Sequence, residues 1–284
     1  MDNGRVVVVT GAARGIGRAT AVAFAHAGYR VAGADIAALA SSAMEYEPAT
    51  PEDLEHTGVL VTEAGGEWMP VIVDQRHLSA VRAGFAAVND RFGGIDVVFA
   101  NAGIQGFAPL LQMSDELWHD QIDINLTGTA NVLRAAAPLL VQRGGGRIII
   151  TSSTQGQHGT LDGSAYSASK WGLIGLMKSA ALELGRYGIT VNALIPGLIN
   201  TALTRHEERY AQIIHTGGNA ASGDVKEDER SAAEAMKKKL PLGVPWVEPE
   251  DVAPLVVFLA SEEARMVTGS SFAATAGDSA NITA

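Results

Sequence analysis

The chain has 284 residues, 47% hydrophobic and 18% charged, a composition that places it among globular proteins with a substantial core. A net charge of −10 argues against a nucleic-acid partner, since phosphate binding needs clustered Lys and Arg and the one basic run is Lys237-Lys238-Lys239. The absence of cysteine excludes disulfides, thiolate zinc sites and cysteine nucleophiles, and fits a cytoplasmic location.

Residues 6–9 are four valines and read as a buried strand, too short for the core of a signal peptide. No apolar stretch approaches membrane-spanning length, so no membrane association is expected. Thr10-Gly11-Ala12-Ala13-Arg14-Gly15-Ile16-Gly17 then forms a turn that opens a helix. Small residues there let a backbone approach a pyrophosphate, and the helix N-terminus supplies free N–H groups. A second strand over 29–34 leads to Asp35, eighteen residues past Gly17. A carboxylate at that point can accept the adenosine ribose hydroxyls and repels a 2′-phosphate, so NAD is expected over its phosphorylated form. Arg14 is the competing signal.

The loop over 36–49 is long for a strand-to-helix connection, which usually takes about 2–6 residues. Thr50, Pro51 and Asp53 then spell a helix start with a capping box, and Gly65-Gly66 its end. Further strands are predicted over 69–73, 95–100, 147–151, 190–195 and 271–274. Asp74 is placed at the end of the third, within reach of an adenine amino group, and Asn101-Ala102-Gly103 directly after the fourth. The polar segment 201–245 carries one predicted helix, around 231–239, and both it and the 36–49 loop leave carboxyl ends of strands, as lids do. Apolar strands alternating with helices predict an α/β protein, a single doubly wound Rossmann domain over 1–284 with helices on both faces of a parallel sheet.

Tyr166 and Lys170 stand four apart on a predicted helix, with Ser153 thirteen residues before the tyrosine. At about 4 Å and an effective dielectric of about 20, an ammonium favours a phenolate by roughly 4 kcal/mol. That would bring a phenol from about 10 towards 7, where it exchanges protons with an alcohol. The histidines show no paired ligand spacing, and no metal is implied.

In this order, the motifs make the chain resemble the short-chain dehydrogenase/reductases: the TGAARGIG turn, Asp74, Asn101-Ala102-Gly103, Asn125-Leu126-Thr127-Gly128, Ser152-Ser153, Tyr166-x-x-x-Lys170, and Pro196-Gly197 with Thr201. The resemblance implies a seven-stranded sheet of order 3-2-1-4-5-6-7. It implies Tyr166 as general acid/base, Lys170 as the group that lowers its pKa and binds the nicotinamide ribose, and Ser153 as the holder of the substrate oxygen. Asn125 would break a helix locally and hold a water. Gly11, Arg14, Gly15, Ile16, Gly17 and Asp35 would contact NAD at one end. Asp74, Gln75, Asn101, Ala102, Gly103 and Thr151 would follow. Tyr166, Lys170, Pro196, Gly197, Ile199 and Thr201 would meet its nicotinamide half. Gln155 and His158 would join Ser153 and Tyr166 around a small-molecule alcohol or ketone. Homotetramers built on helices over 116–141 and 165–186 are the common assembly.

The insertion around Tyr46-Glu47-Pro48-Ala49-Thr50 is similar to that of carveol-dehydrogenase-like, mycofactocin-associated members, in which the loop covers the adenosine and NAD is held tightly. Ile16 and Gln75 depart from the residues usual there. The implied reaction is NAD-dependent interconversion of a secondary alcohol and a ketone. A 3-oxoacyl or sugar reductase would use the same residues. A non-catalytic NAD sensor of this fold typically lacks the tyrosine or the lysine.

Overall fold

The computed structural model describes residues 4–281. Its strands are β1 Val6–Thr10, β2 Arg30–Asp35, β3 Trp68–Ile72, β4 Val97–Ala100, β5 Gly146–Thr151, β6 Ile189–Pro196 and β7 Ser271–Ala274. They form one parallel sheet in the order β3-β2-β1-β4-β5-β6-β7, as the resemblance implied. The helices are α1 Gly15–His26, α2 Pro51–Glu63, α3 Leu78–Phe92, α4 Asp115–Gln121, α5 Thr129–Arg143, α6 Ser164–Leu184, α7 Glu207–Thr216, α8 Val225–Lys239 and α9 Pro249–Ala260. Among the described residues, no helix is long and apolar enough to cross a membrane.

The run of valines in β1 serves two cores at once. Val6 and Val8 join Phe85 of α3, Leu140 of α5 and Met177 of α6 on one face. Val7 and Val9 alternate to the other face, with Phe24 of α1, Leu54 of α2 and Val256 of α9. A strand buried on both sides has no place for a polar residue, which is why β1 shows no polar alternation. β1 lies between β2 and β4, so the chain leaves it in opposite directions on its two sides. That reversal opens a crevice at the carboxyl ends of the strands.

The predicted capping box is present: Thr50 Oγ1 accepts from Asp53 N at 3.2 Å, and Thr50 N donates to the Asp53 carboxylate at 3.0 Å. Other expectations are corrected. β3 ends at Ile72, so Asp74 lies two residues beyond the strand. The helix over 116–141, expected to break locally at Asn125, runs as α4 and α5 joined by a wide-turned stretch, Ile122–Gly128, that contains Asn125. The 201–245 segment holds two helices, α7 and α8, where one was predicted. Tyr210, Ile213 and Ile214 pack with Met236, Leu240 and Trp246 in a small third core. That spacing is an i, i+3, i+4 stripe legible in the sequence, but its flanking glutamates and glycines hid it.

Trp68 explains two glycines. A Cβ built on Gly33 of β2 would lie 1.9 Å from the indole, and one on Gly58 of α2 2.5 Å from its Nε1. The ring therefore slots between sheet and helix only because neither neighbour has a side chain. Gly33→Ala is expected to destabilise the protein by about 1–3 kcal/mol through overpacking. Urea unfolding would detect this, and an unchanged midpoint would mean that the indole simply moves aside.

Candidate active site

The turn after β1 is shaped by close approach. Gly11 has φ +68°, and a Cβ there would lie 2.9 Å from Ala102 Cα. Gly15 has φ +57° and faces the Thr201 methyl in the same way. A Cβ on Gly17 would lie 1.9 Å from Gly11 O, so this glycine supports the turn from behind and does not line the cavity. Thr10 Oγ1 accepts from the N–H groups of both Asn101 and Ala102, at 2.9 and 3.0 Å. Thr151 donates to Asn101 Oδ1 at 3.1 Å, so β1, β4 and β5 are tied together at their carboxyl ends.

One cavity runs along this edge. Gly11, Arg14, Gly15, Ile16 and Asp35 line one end. Asp74, Gln75, Asn101, Ala102 and Gly103 follow, and then Thr151, Ser153, Tyr166 and Lys170. Pro196, Gly197, Ile199 and Thr201 close the far side. The Asp35 carboxylate accepts from Ala13 N at 3.0 Å and Ala37 N at 2.9 Å, which fixes its orientation. Against the cost of burial, hydrogen bonds from Arg76 hold the Asp74 carboxyl below its usual range. Asp74 is thus committed to an ion pair, and the acceptor beside it without a partner among the described residues is Gln75 Oε1, while Gln75 Nε2 donates to Ala102 O and Ile124 O. A glycine cradle at a helix N-terminus, with oriented acceptors further on, fits a dinucleotide.

The insertion 36–49 roofs the same cavity through Ile36, Ala38, Ala40, Met44, Tyr46 and Ala49. Arg14 donates to Glu47 O at 2.6 Å and lies 5.6 Å from the Tyr46 ring centroid. The competing cation is therefore engaged by the loop.

At the other end, the Ser153 hydroxyl hydrogen-bonds the Tyr166 phenol. Lys170 Nζ donates to Thr151 O at 3.0 Å and lies 5.5 Å from the Tyr166 ring centroid. Asn125 bonds both backbone groups of Ile104, at 2.8 and 2.9 Å, and donates to Ser169 Oγ at 3.1 Å. It braces the site from behind without lining the cavity. Gln155 is buried against the first turn of α6, accepting from Ser167 Oγ at 3.3 Å, and does not line the cavity. His158 bonds Gly159 O at 2.8 Å in an exposed turn and is not brought to the site.

Residues 5–211 match the family model for short chain dehydrogenase. The chain belongs to the short-chain dehydrogenase/reductases. It is 36% identical over 278 residues to the (−)-trans-carveol dehydrogenase of Rhodococcus erythropolis, covering 96% of this chain and 97% of that protein. It is 40% identical over 206 residues to an NAD-dependent oxidoreductase of Mycobacterium tuberculosis, covering 72% and 75%. A crystal structure of carveol dehydrogenase from Mycobacterium avium in complex with NAD superposes with a TM-score of 0.89 at 34% identity, covering 97% of each chain. Within this oxidoreductase family the chain is carveol-dehydrogenase-like.

The electrostatics of this short-chain dehydrogenase/reductase differ from the expectation. Burial pushes the Tyr166 phenol up to about 12, opposed by the Ser153 hydrogen bond and the charge of Arg209. Burial also pushes the Lys170 ammonium down to about 8. The expected depression towards 7 considered a Lys170 charge alone; burial dominates both groups instead, and what opposes it at the phenol is Ser153 and Arg209. Arg209 was missed altogether, because its helix was missed.

A lysine whose pKa falls from 10.5 to about 8 on folding costs at most ~3 kcal/mol at pH 7. The cost is fully present below pH 8 and fades as pH rises towards 10.5, where the unfolded chain also loses the proton. Lys170→Met is therefore expected to raise the melting temperature of the NAD-free protein at pH 7, with a gain that shrinks as pH approaches 10. A gain independent of pH would assign it to packing.

Proposed function

We propose that this protein is an NAD-dependent alcohol dehydrogenase and ketone reductase, interconverting a secondary alcohol and a ketone. The observation that carries the reading is the convergence of Ser153 and Lys170 on Tyr166, in the same cavity that Asp35 and the glycine turn line further along. NAD is the cofactor. Gly11, Gly15 and the N-terminus of α1 hold its pyrophosphate, and Asp35 its adenosine ribose. Gln75 serves the adenine edge, and Lys170, Pro196, Ile199 and Thr201 the nicotinamide half. When bound, NAD supplies the hydride chemistry at the carbinol carbon.

Tyr166 exchanges the proton at the substrate oxygen. Ser153 holds that oxygen and donates to the charge that builds on it. A phenol pushed up to about 12 is protonated at neutral pH, so it is ready to donate to a carbonyl oxygen in the reductive direction. In the oxidative direction it must first lose its proton, which the Ser153 hydrogen bond favours. Lys170 contributes charge and a fixed floor beneath the phenol. Asn125 is a positioning residue: its amide locks Ile104 against Ser169, one residue before Lys170. The roof of residues 36–49 supports a tightly held NAD that exchanges slowly.

Tyr166→Phe removes only the phenol oxygen. It is expected to cut turnover of secondary alcohols about 1,000-fold while NADH still binds, since general acid–base catalysis is worth about 10²–10⁴. Full activity in this variant would remove Tyr166 from the mechanism. Deleting residues 38–48 should speed NAD release about tenfold, equivalent to losing ~1.4 kcal/mol of closing contacts. Stopped-flow displacement would measure the rate, and an unchanged value would refute the roof as a lid.

A further inference from the structure

Arg14 and Arg18 both stand at the nucleotide end of the cavity, but only Arg14 lines it. Arg18, inside α1, is engaged by α2: it pairs with the Asp53 carboxylate at 3.3 Å and donates to Thr57 Oγ1 at 3.0 Å. Arg14, the residue before α1, has extended backbone and shares the cavity wall with Asp35. Among the described residues, the cations lining this cavity are Arg14 and Lys170, and Lys170 belongs to the Tyr166 end. Arg14 does not pair with Asp35. No ion pair joins the two among the described residues, and the Asp35 carboxylate accepts from Ala13 N and Ala37 N instead.

The guanidinium goes to the insertion. Its Nη1 donates to Glu47 O at 2.6 Å, and its Cζ lies 5.6 Å from the Tyr46 ring centroid. Both holders are themselves fixed. The Tyr46 ring lies 5.5 Å from the His206 ring, and the Gln105 N–H meets its phenol. Glu47 is followed by Pro48, by Ala49 packed against the core that holds Phe24, and by Thr50 of the capping box. A guanidinium at this place is what a 2′-phosphate on the adenosine ribose requires, because its paired N–H donors match phosphate oxygens. Asp35 repels such a phosphate, yet a free cation beside the carboxylate would offset that repulsion. The subsite thus carries residues with opposed preferences. Arg14 must give up a charge-assisted hydrogen bond and a ring contact before it can meet a phosphate.

We propose that the insertion is a cofactor-specificity element: by holding Arg14 on Glu47 O and the Tyr46 ring, it withholds the cation that would otherwise bind a 2′-phosphate, and so reinforces the choice of NAD that Asp35 makes. Tyr46 and the backbone of Glu47 then determine specificity by acting through Arg14. The proposal rests on the placement of the adenosine ribose at Asp35 given above. It is separate from the action of the loop as a lid. A lid slows the exchange of both nucleotides alike, whereas withholding Arg14 changes the ratio in which they bind.

The test reads that ratio directly. Full-length protein is incubated with equal concentrations of NAD and NADP until the bound ratio is constant, freed of unbound nucleotide and denatured, and the released nucleotides are quantified by chromatography. In an Asp35→Ala background, deleting residues 38–48 is expected to raise the bound NADP:NAD ratio about tenfold or more, as one charge-assisted hydrogen bond to a phosphate gives. Adding Arg14→Ala is expected to abolish that rise. Tyr46→Ala, which removes the ring and keeps the loop, is expected to give part of the rise and serves if the deletion variant fails to fold. A ratio unmoved by either change, or a rise that persists with Arg14→Ala, overturns the proposal. Asp35→Ala by itself tests the reading beneath it. An unchanged ratio in that variant would remove Asp35 from the ribose, and the proposal with it. A rise in that variant to which loss of the loop adds nothing would keep the ribose placement and reject the role of the insertion.

Discussion

Lys170 carries an ammonium into the protein interior, and much of the surrounding architecture holds it there. Among the described residues its Nζ has one hydrogen-bond acceptor, Thr151 O at the end of β5. Its own backbone carbonyl is fixed by Ser152 Oγ at 2.9 Å. Gly103 must lack a side chain, because a Cβ there would lie 2.9 Å from Asn125 Oδ1 and 3.5 Å from Nζ. The wide turn at Ile122–Gly128, the bare backbone after β4 and the polar end of β5 thus meet at one point. A buried charge with one carbonyl partner would be a liability in a purely structural role. It fits the proposed role, in which charge beside the Tyr166 phenol is the purpose.

Much of this was legible from residues alone. The valine run, the glycine turn, Asp35 at the end of β2 and the capping box at Thr50 are local features, each with a local physical cause, and they fall where the sequence placed them. The boundaries that moved, such as β3 ending before Asp74, depend on pairing with a neighbouring strand. Three things were out of reach for different reasons. The pKa values of Tyr166 and Lys170 depend on burial, which motif spacing does not report. His158 looked close to Ser153 in sequence, yet the turn directs it outward to Gly159. Arg209 stands 43 residues after Tyr166 in the chain, and only the packing of α7 brings it back.

The two irregular segments are less independent than their separation in sequence suggests. The Tyr46 ring, from the insertion after β2, lies 5.5 Å from the ring of His206, just before α7. The Gln105 N–H meets the Tyr46 phenol, so the loop after β4 joins the same closure. Glu45 is pushed up to about 7 by burial and by the nearby charge of Glu208. Against the cost of its own burial, Glu208 is held low by its bond to His206. The roof over the cavity and the segment that leads into α7 therefore share side-chain contacts.

On the proposed reading, the burial of Tyr166 and Lys170 bears on the direction of the reaction. At neutral pH the Lys170 ammonium is charged and the Tyr166 phenol is protonated. A phenol that holds its proton at neutral pH can serve as the acid for a carbonyl oxygen, whereas alcohol oxidation needs that proton removed first. The burial that raises the phenol therefore favours the reductive direction at neutral pH, and rising pH shifts the balance towards oxidation.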